Sequence, residues 1–444
     1  MSKNYFGTDG VRGTVGNDPM TADFAMRLAS AAAQVLVPAS GTVVIGKDTR
    51  LSGYMFESAL EAGFVAAGAD VLLIGPLPTP GIARLTQEFD ADLGVVISAS
   101  HNPYFDNGIK FFDRSGSKLT DEVERKIEEH LKNPAITLES QSLGKAKRID
   151  TARTRYQDFC TSSVRHGVDF SGLKVVFDGA NGAGYKVGPR ALAALGAEVI
   201  PIGCSPNGKN INDGCGSTQP DLLQLTVPAV RAHVGVALDG DGDRLVMVDE
   251  NGALVDGDQL LLVLALARHD LGQLTGPVVG TVMSNLGLEK ALQARNIEFR
   301  RASVGDRYVL EALRETGGVI GGETSGHMIV LDKTTTGDGL ICALQILEIM
   351  KVSGKPLSEL AAGMKKFPQT MINVRTENRL DLAGSKDIQS AVAAAEAELK
   401  DTGRIVLRAS GTEPVIRVMV EGEDPEQVVA IARRLAAVAA ESAA

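Results

Sequence analysis

The sequence predicts an α/β protein: three related α/β domains followed by a smaller α+β carboxy-terminal domain. Three observations predict it. At 444 residues and 44% apolar composition the chain is too long for one core and too apolar for a disordered polymer. Three segments repeat one rhythm of β-branched run, Gly-containing turn, Ala/Leu-rich helical stretch and second short strand. The last segment breaks that rhythm with alternating strands around two helical patterns.

The first repeat runs from Gly41-Thr42-Val43-Val44-Ile45-Gly46 through Leu60-Glu61-Ala62-Gly63-Phe64 to Ala69-Asp70-Val71-Leu72-Leu73-Ile74. The second runs from Leu173–Asp178 to Ala197–Ile202, and the third begins at Pro277-Val278-Val279-Gly280 and returns at Ile297-Glu298-Phe299. Continuous apolar strands alternating with helices imply parallel strands covered on both faces by right-handed crossovers. In the last segment, strands are expected at 371–374, 404–407 and 416–420, with helices over 385–399 and 425–440. The resulting segments are 1–150, 151–253, 254–368 and 369–444.

Composition narrows the function. With 45 Lys+Arg against 55 Asp+Glu, a net charge of −10 and no Trp, the chain suits neither a phosphate-backbone binder nor a stacking platform for single strands. Cys160, Cys204, Cys215 and Cys342 form no C-x-x-C pair, which argues against a zinc ribbon or a disulfide framework and for a reducing compartment. The opening residues lack an apolar signal region, and the longest greasy run, Leu260–Ala267, falls short of the roughly 18 residues a membrane span needs. A cytoplasmic enzyme with no membrane or nucleic-acid partner is expected.

The sharpest motif is Leu238-Asp239-Gly240-Asp241-Gly242-Asp243-Arg244, bracketed by two apolar strands. Three carboxylates so close repel one another unless a divalent cation sits among them, and hard oxygen ligands favour Mg²⁺ or Ca²⁺ over zinc. A calcium EF-hand fails, because Arg244 stands where that loop needs Gly and the flanks read as strands rather than helices. In Val95-Val96-Ile97-Ser98-Ala99-Ser100-His101-Asn102-Pro103 a strand runs into a polar turn, a place where α/β folds carry reactive groups. The pattern does not choose between Ser98 and Ser100, and either can simply satisfy backbone groups.

Lys110, within Asn107-Gly108-Ile109-Lys110-Phe111-Phe112, admits two readings: an amine discharged by desolvation and able to exchange protons, or a snorkelling edge-strand side chain. Gly321-Gly322-Glu323-Thr324-Ser325-Gly326-His327 is either a plain turn or a loop gripping the hydroxyls of a polar ligand. Arg408-Ala409-Ser410-Gly411-Thr412-Glu413-Pro414 is either an ordinary hairpin or an anion nest, with Arg417 on the next strand as a further cation. Phe6–Gly13 adds a Gly-flanked Arg12, and Asp178–Gly184 is a tight crossover turn whose spacing does not match a dinucleotide fingerprint.

Taken in order, Ser-His-Asn-Pro, Asp-Gly-Asp-Gly-Asp-Arg, Glu-x-Ser-Gly-His and Arg-x-Ser-x-Thr-Glu-Pro make the whole chain resemble the α-D-phosphohexomutase superfamily. The resemblance implies mixed, mostly parallel sheets in three α/β domains and a fourth α+β domain around a central cleft. It implies a phosphoserine at Ser100, with one Mg²⁺ per subunit held by that phosphate, Asp239, Asp241 and Asp243. Lys110 matches the general acid/base, His101 beside the nucleophile is expected to be a further catalytic residue, and Arg244 and Arg12 are expected as active-site cations. Glu323, Ser325 and His327 match the sugar-binding loop; Arg408, Ser410, Gly411 and Thr412, with Arg417 added, match the loop for the substrate's other phosphate.

Tyr5–Gly13, the 321–327 loop and Val304-Gly305-Asp306-Arg307-Tyr308 look most like the bacterial phosphoglucosamine mutase branch. That branch interconverts glucosamine 6-phosphate and glucosamine 1-phosphate, with a sugar 1,6-bisphosphate as intermediate or activator, and supplies UDP-N-acetylglucosamine for the cell wall. The partner expected is therefore a small hexosamine phosphate; oligomeric state, a homodimer included, is left open. Dual phosphomannomutase/phosphoglucomutases share Glu-x-Ser-Gly-His and are the alternative. A sugar-phosphate phosphatase needs no such elaborate 321–327 and 408–414 loops, and a non-catalytic sensor needs no nucleophile.

Overall fold

A computed structural model of the chain describes residues 5–7, 9–376, 382, 384–409 and 415–443. The first sheet contains β1 (Val11–Thr14), β2 (Thr42–Lys47), β3 (Asp70–Pro76), β4 (Leu93–Ile97), β5 (Asp106–Asp113) and β6 (Ala146–Arg148), in the order β1-β5-β4-β2-β3-β6. The second contains β7 (Lys174–Asp178), β8 (Glu198–Ile202), β9 (Val234–Leu238), β10 (Leu245–Val248) and β11 (Leu254–Val255), in the order β11-β10-β9-β7-β8. The third, β13-β12-β14-β15, is built from β12 (Val278–Thr281), β13 (Phe299–Ala302), β14 (Ile320–Gly322) and β15 (Met328–Val330). The fourth is the antiparallel sheet β16-β18-β17, from β16 (Gln369–Arg375), β17 (Gly403–Ala409) and β18 (Val415–Gly422).

The repeat is exact at the level of topology. In β3-β2-β4-β5, β8-β7-β9-β10 and β13-β12-β14-β15, three strands run parallel and the last is antiparallel. The antiparallel pairing follows from chain length: the connections 98–105, 239–244 and 323–327 are too short for a crossover, so the strand must turn back on its neighbour. Those three connections hold three of the four sequence motifs.

Burial follows the apolar pattern. Strands β4, β9 and β10 are buried at every position, as runs without alternation require. One core cluster threads the first three units, joining Val44, Tyr156, Phe177, Leu238, Leu264 and Leu344, while the fourth unit has its own around Val418, Ile431 and Leu435. The greasy run Leu260–Ala267 lies inside helix Gly257–Asp270, which starts with a capping box between Asp256 and Gln259. Among the described residues no helix is long and apolar enough to cross a membrane. All four cysteines are free thiols.

The structure shifts two expected elements. The short helical run at 60–64 is part of a helix over Ser52–Ala66. The third unit's return strand is Phe299–Ala302 rather than 297–299, because the Ile297 N–H still closes the preceding helix on Leu292 O (3.0 Å) and the strand proper carries Arg300 and Arg301.

Candidate active site

Ser100 follows β4 in the left-handed region (φ +51°), a conformation that costs a non-glycine residue on the order of 1–3 kcal/mol and needs outside support. Support comes from beneath. Arg50 and Asp48, both fully buried, pair at 2.8 Å, and Arg50 donates to the carbonyls of Ser100 (2.9 Å), Asn102 (2.8 Å), Asp106 (3.0 Å) and Pro103. Asn212 Nδ2 donates to the Ser100 carbonyl from the second unit, at 2.9 Å. The two serines separate here. Ser98 Oγ donates to Asp48 Oδ2 (2.6 Å) and accepts the Ser100 N–H (2.9 Å), so it is committed to the scaffold. Ser100 Oγ instead donates to Asp239 Oδ2, at 2.6 Å.

Asp239, Asp241 and Asp243 lie on the β9–β10 turn, buried, with ligand oxygens within 4.8 Å of one another. The glycines between them have separate reasons. Gly242 has φ +73°, and a Cβ on Gly240 would come within 2.5 Å of the Ser100 carbonyl oxygen. Thr79, opening helix Thr79–Glu88, anchors Asp241 through its hydroxyl to Oδ2 (2.7 Å) and its N–H to the backbone oxygen (2.8 Å). Oδ1 of Asp241 and Oδ1 of Asp243 are buried without a hydrogen-bond partner. Burial and then the charges of Asp243 and Asp241 push the Asp239 carboxyl well above its usual range; Asp243 is raised by burial and Asp241. Orphaned hard oxygens and mutual repulsion fit a divalent cation among the three aspartates.

Lys110, on β5, is buried and lies 2.9 Å from both Asp241 Oδ2 and Asp9 Oδ2. Burial pulls its pKa down, but Asp241 and Asp9 outweigh it and the net shift is upward. The reading of an amine discharged by desolvation is therefore corrected: in this constellation Lys110 is an ammonium, and it does not snorkel either. Asp241 is correspondingly held below its ordinary range, Lys110 overcoming burial.

A cleft of about 890 Å³ opens over these groups, lined by Arg12, Ser100, His101, Asp243 and Arg244 and, from the third unit, by Glu323, Ser325 and His327. Arg244 and Arg12 stay cationic, the neighbouring aspartates offsetting burial. His101 Nδ1 is 3.5 Å from Ser100 Oγ, and burial, then Arg244 and Arg12, push its pKa down to about 4, so the ring is neutral at pH 7. His327 is buried with its Nε2 3.6 Å from Asp306 and 3.9 Å from Asp243. An Arg244–His327 β-bridge and the Leu245 N–H donating to Gly326 O (3.0 Å) zip the metal turn to the 323–327 loop.

Arg408 and Arg417 face each other across β17 and β18, outside the residues lining this cleft. Burial and the Arg417 charge lower the Arg408 pKa, and its Nε is buried without a partner, an arrangement that suits an anion. Ser410, Gly411 and Thr412 lie outside the described residues.

Sequence reasoning missed several residues. Lys118 bridges Asp9 Oδ1 (2.6 Å) and Asp306, tying the first unit to the third. Gly305, next to Asp306, donates its N–H to the expected site residue Glu323 at 3.0 Å. Asp9 and Asp306 both sit in quoted motifs, beside Arg12 and Gly305, and adjacency was the available signal. Asp48, Arg50, Thr79 and Asn212 carry no local signal, since each acts across a fold-level contact.

The three repeated units and an aspartate turn against a serine define a phosphohexomutase-like α/β protein. Descriptions of the phosphoglucomutase/phosphomannomutase family match four successive segments: α/β/α domain I at residues 3–136, domain II at 154–252, domain III at 256–367 and the C-terminal domain at 371–438. The chain belongs to this family. It is 56% identical to a phosphoglucosamine mutase of Thioalkalivibrio sulfidiphilus over 440 residues, 98% of each chain, and 56% identical to one of Methylococcus capsulatus over 438 residues, again 98% of each. Its fold matches a phosphoglucomutase/phosphomannomutase family protein of Burkholderia thailandensis (TM-score 0.79, 24% identity, 98% of both chains). It also matches the N-acetylphosphoglucosamine mutase of Aspergillus fumigatus solved with GlcNAc-6P and magnesium (TM-score 0.71, 16% identity, 100% of this chain and 96% of that one).

Proposed function

We propose that the chain interconverts glucosamine 6-phosphate and glucosamine 1-phosphate, a phosphoglucosamine mutase activity in the cytoplasm, through a phosphoryl group carried on Ser100. The observation that carries this reading is the 2.6 Å approach of Ser100 Oγ to Asp239, on a serine held at positive φ beneath a polar cleft. The named relatives at 56% identity support the amino sugar.

Asp239, Asp241, Asp243 and the phosphate carried on Ser100 would hold Mg²⁺, which when bound supplies neutralisation of the phosphoryl charge. The chain's own groups do the rest. Arg244 and Arg12 bring positive charge to an incoming sugar phosphate that a phosphoserine would otherwise repel. Lys110 starts as an ammonium and relays the proton within one transfer: it gives its proton to the oxygen the phosphoryl group leaves and recovers the one shed by the attacking hydroxyl, so it is an ammonium again when the transfer ends. Glu323, Ser325 and His327 grip the sugar, and Arg408 and Arg417 hold its other phosphate. A cleft of about 890 Å³ gives a 1,6-bisphosphorylated hexosamine room to turn and present its second phosphate to Ser100.

The test is a side-by-side rate comparison on glucosamine, glucose and mannose 1-phosphates after priming with a sugar bisphosphate. A clear preference for glucosamine is expected; equal rates on all three overturn the substrate assignment. Release of inorganic phosphate at the rate of Ser100 dephosphorylation would overturn the mutase reading in favour of hydrolysis.

A further inference from the structure

Asp258 lies in the first turn of helix Gly257–Asp270, entirely buried, yet it belongs neither to the metal turn nor to the cleft wall. Its Oδ2 accepts two hydrogen bonds from different places: the hydroxyl of Thr324 at 2.7 Å and the backbone N–H of Asn285 at 2.8 Å. Thr324 stands between Glu323 and Ser325, which line the cleft. Asn285 turns the other way. Its side chain donates to Phe367 O (2.9 Å) and accepts the Phe367 N–H (3.0 Å), clamping the chain just before β16. Next to it, the Leu286 N–H donates to Glu421 Oε1 on β18 at 3.1 Å. Arg404, paired with Glu421, donates to the carbonyls of Val282 (2.9 Å) and Ser284 (2.6 Å). Segment 282–286 is thus grasped on one side by Asp258 and on the other by the fourth sheet.

A buried carboxylate accepting from two separate segments couples their positions, because moving either donor away leaves charge unsatisfied in a low-dielectric interior. The Gly257 N–H adds a parallel tie to Thr324 O, at 3.2 Å. We propose that Asp258 is a positioning residue that joins the Glu323–Ser325 loop to the linker at Phe367, so that the loop's grip on a sugar phosphate and the seating of the fourth sheet are coupled. This rests on the reading of the cleft as a sugar-phosphate site.

Thr324→Val keeps the side-chain shape and deletes one donor, so it tests the coupling without removing the carboxylate. In amide hydrogen exchange of the ligand-free protein, protection at Asn285 and Phe367 should fall about tenfold, equivalent to about 1.4 kcal/mol, while β12 is unchanged. The same variant should raise KM for glucosamine 1-phosphate more than it lowers kcat. Asp258→Asn, which keeps an acceptor oxygen, should restore most of what Asp258→Ala loses. A change confined to residues 323–326 in Thr324→Val, with Phe367 as protected as before, overturns the proposal, and this variant decides the matter even if Asp258→Ala does not fold. The exchange measurement needs no turnover, so wild-type inactivity on glucosamine phosphates would sink the functional reading and leave the coupling to be judged by exchange alone.

Discussion

Replacing Ser98 with Ala separates two hydroxyls that sit two residues apart and look alike in sequence. Ser98 Oγ is wholly buried, donating to Asp48 and accepting the Ser100 N–H. Its removal leaves that buried N–H without an acceptor, a cost of about 1–3 kcal/mol. Asp48 keeps its Arg50 partner at 2.8 Å, so no buried charge is stranded and the fold should survive. The positive-φ conformation of Ser100 then loses one of its restraints, and a displacement of roughly 1 Å at a reacting oxygen costs on the order of 10²-fold in rate. Ser98→Ala should therefore lose about 2 kcal/mol in urea unfolding and transfer phosphate from a sugar bisphosphate slowly, but measurably, in a single turnover. Ser100→Ala should unfold near the wild-type midpoint and take up no phosphate at all. Loss of labelling in Ser98→Ala with labelling retained in Ser100→Ala would reverse the assignment, and a Ser98→Ala protein equal to wild type in both measurements would refute the scaffold argument.

Asp241→Asn removes the carboxylate shared by Lys110 and Thr79; Mg²⁺ affinity by calorimetry should drop at least tenfold and phosphoryl transfer should slow, and an unchanged titration would displace the metal turn. Burial raises the carboxyls of Asp338 and Asp258 from 3.8 to about 6. Between about pH 4 and 6 the folded chain holds protons the unfolded chain has released, so each group withdraws up to about 1.4 kcal/mol of stability per unit as pH rises. Asp338→Asn still caps helix Gly339–Ser353 through its oxygen; the difference between its unfolding free energy and that of wild type should grow across that window and be flat above it. Arg408→Gln relieves the facing Arg417 charge, so the melting temperature should hold or rise while KM for the sugar phosphate increases severalfold; an unchanged KM would take Arg408 out of phosphate binding.

Local chemistry was legible where one stretch of chain carries the whole signal. The Asp-Gly-Asp-Gly-Asp turn announces carboxylates that cannot sit together uncompensated, and the apolar runs at Val95–Ile97 and Val234–Leu238 announce strands buried on both faces. The repeated rhythm likewise exposed three α/β units and a different fourth. What stayed hidden depends on atoms far apart in sequence. Which of Ser98 and Ser100 turns its hydroxyl to the metal turn depends on Asp48, Arg50 and Asn212, and the upward shift of Lys110 on Asp241 and Asp9, all distant in sequence from the groups they act on. Composition and spacing determine which elements form and which groups repel, because those are properties of neighbours along the chain. The field at a buried amine, or the acceptor of a buried N–H, is a sum over neighbours in space, and only the packed units fix which those are.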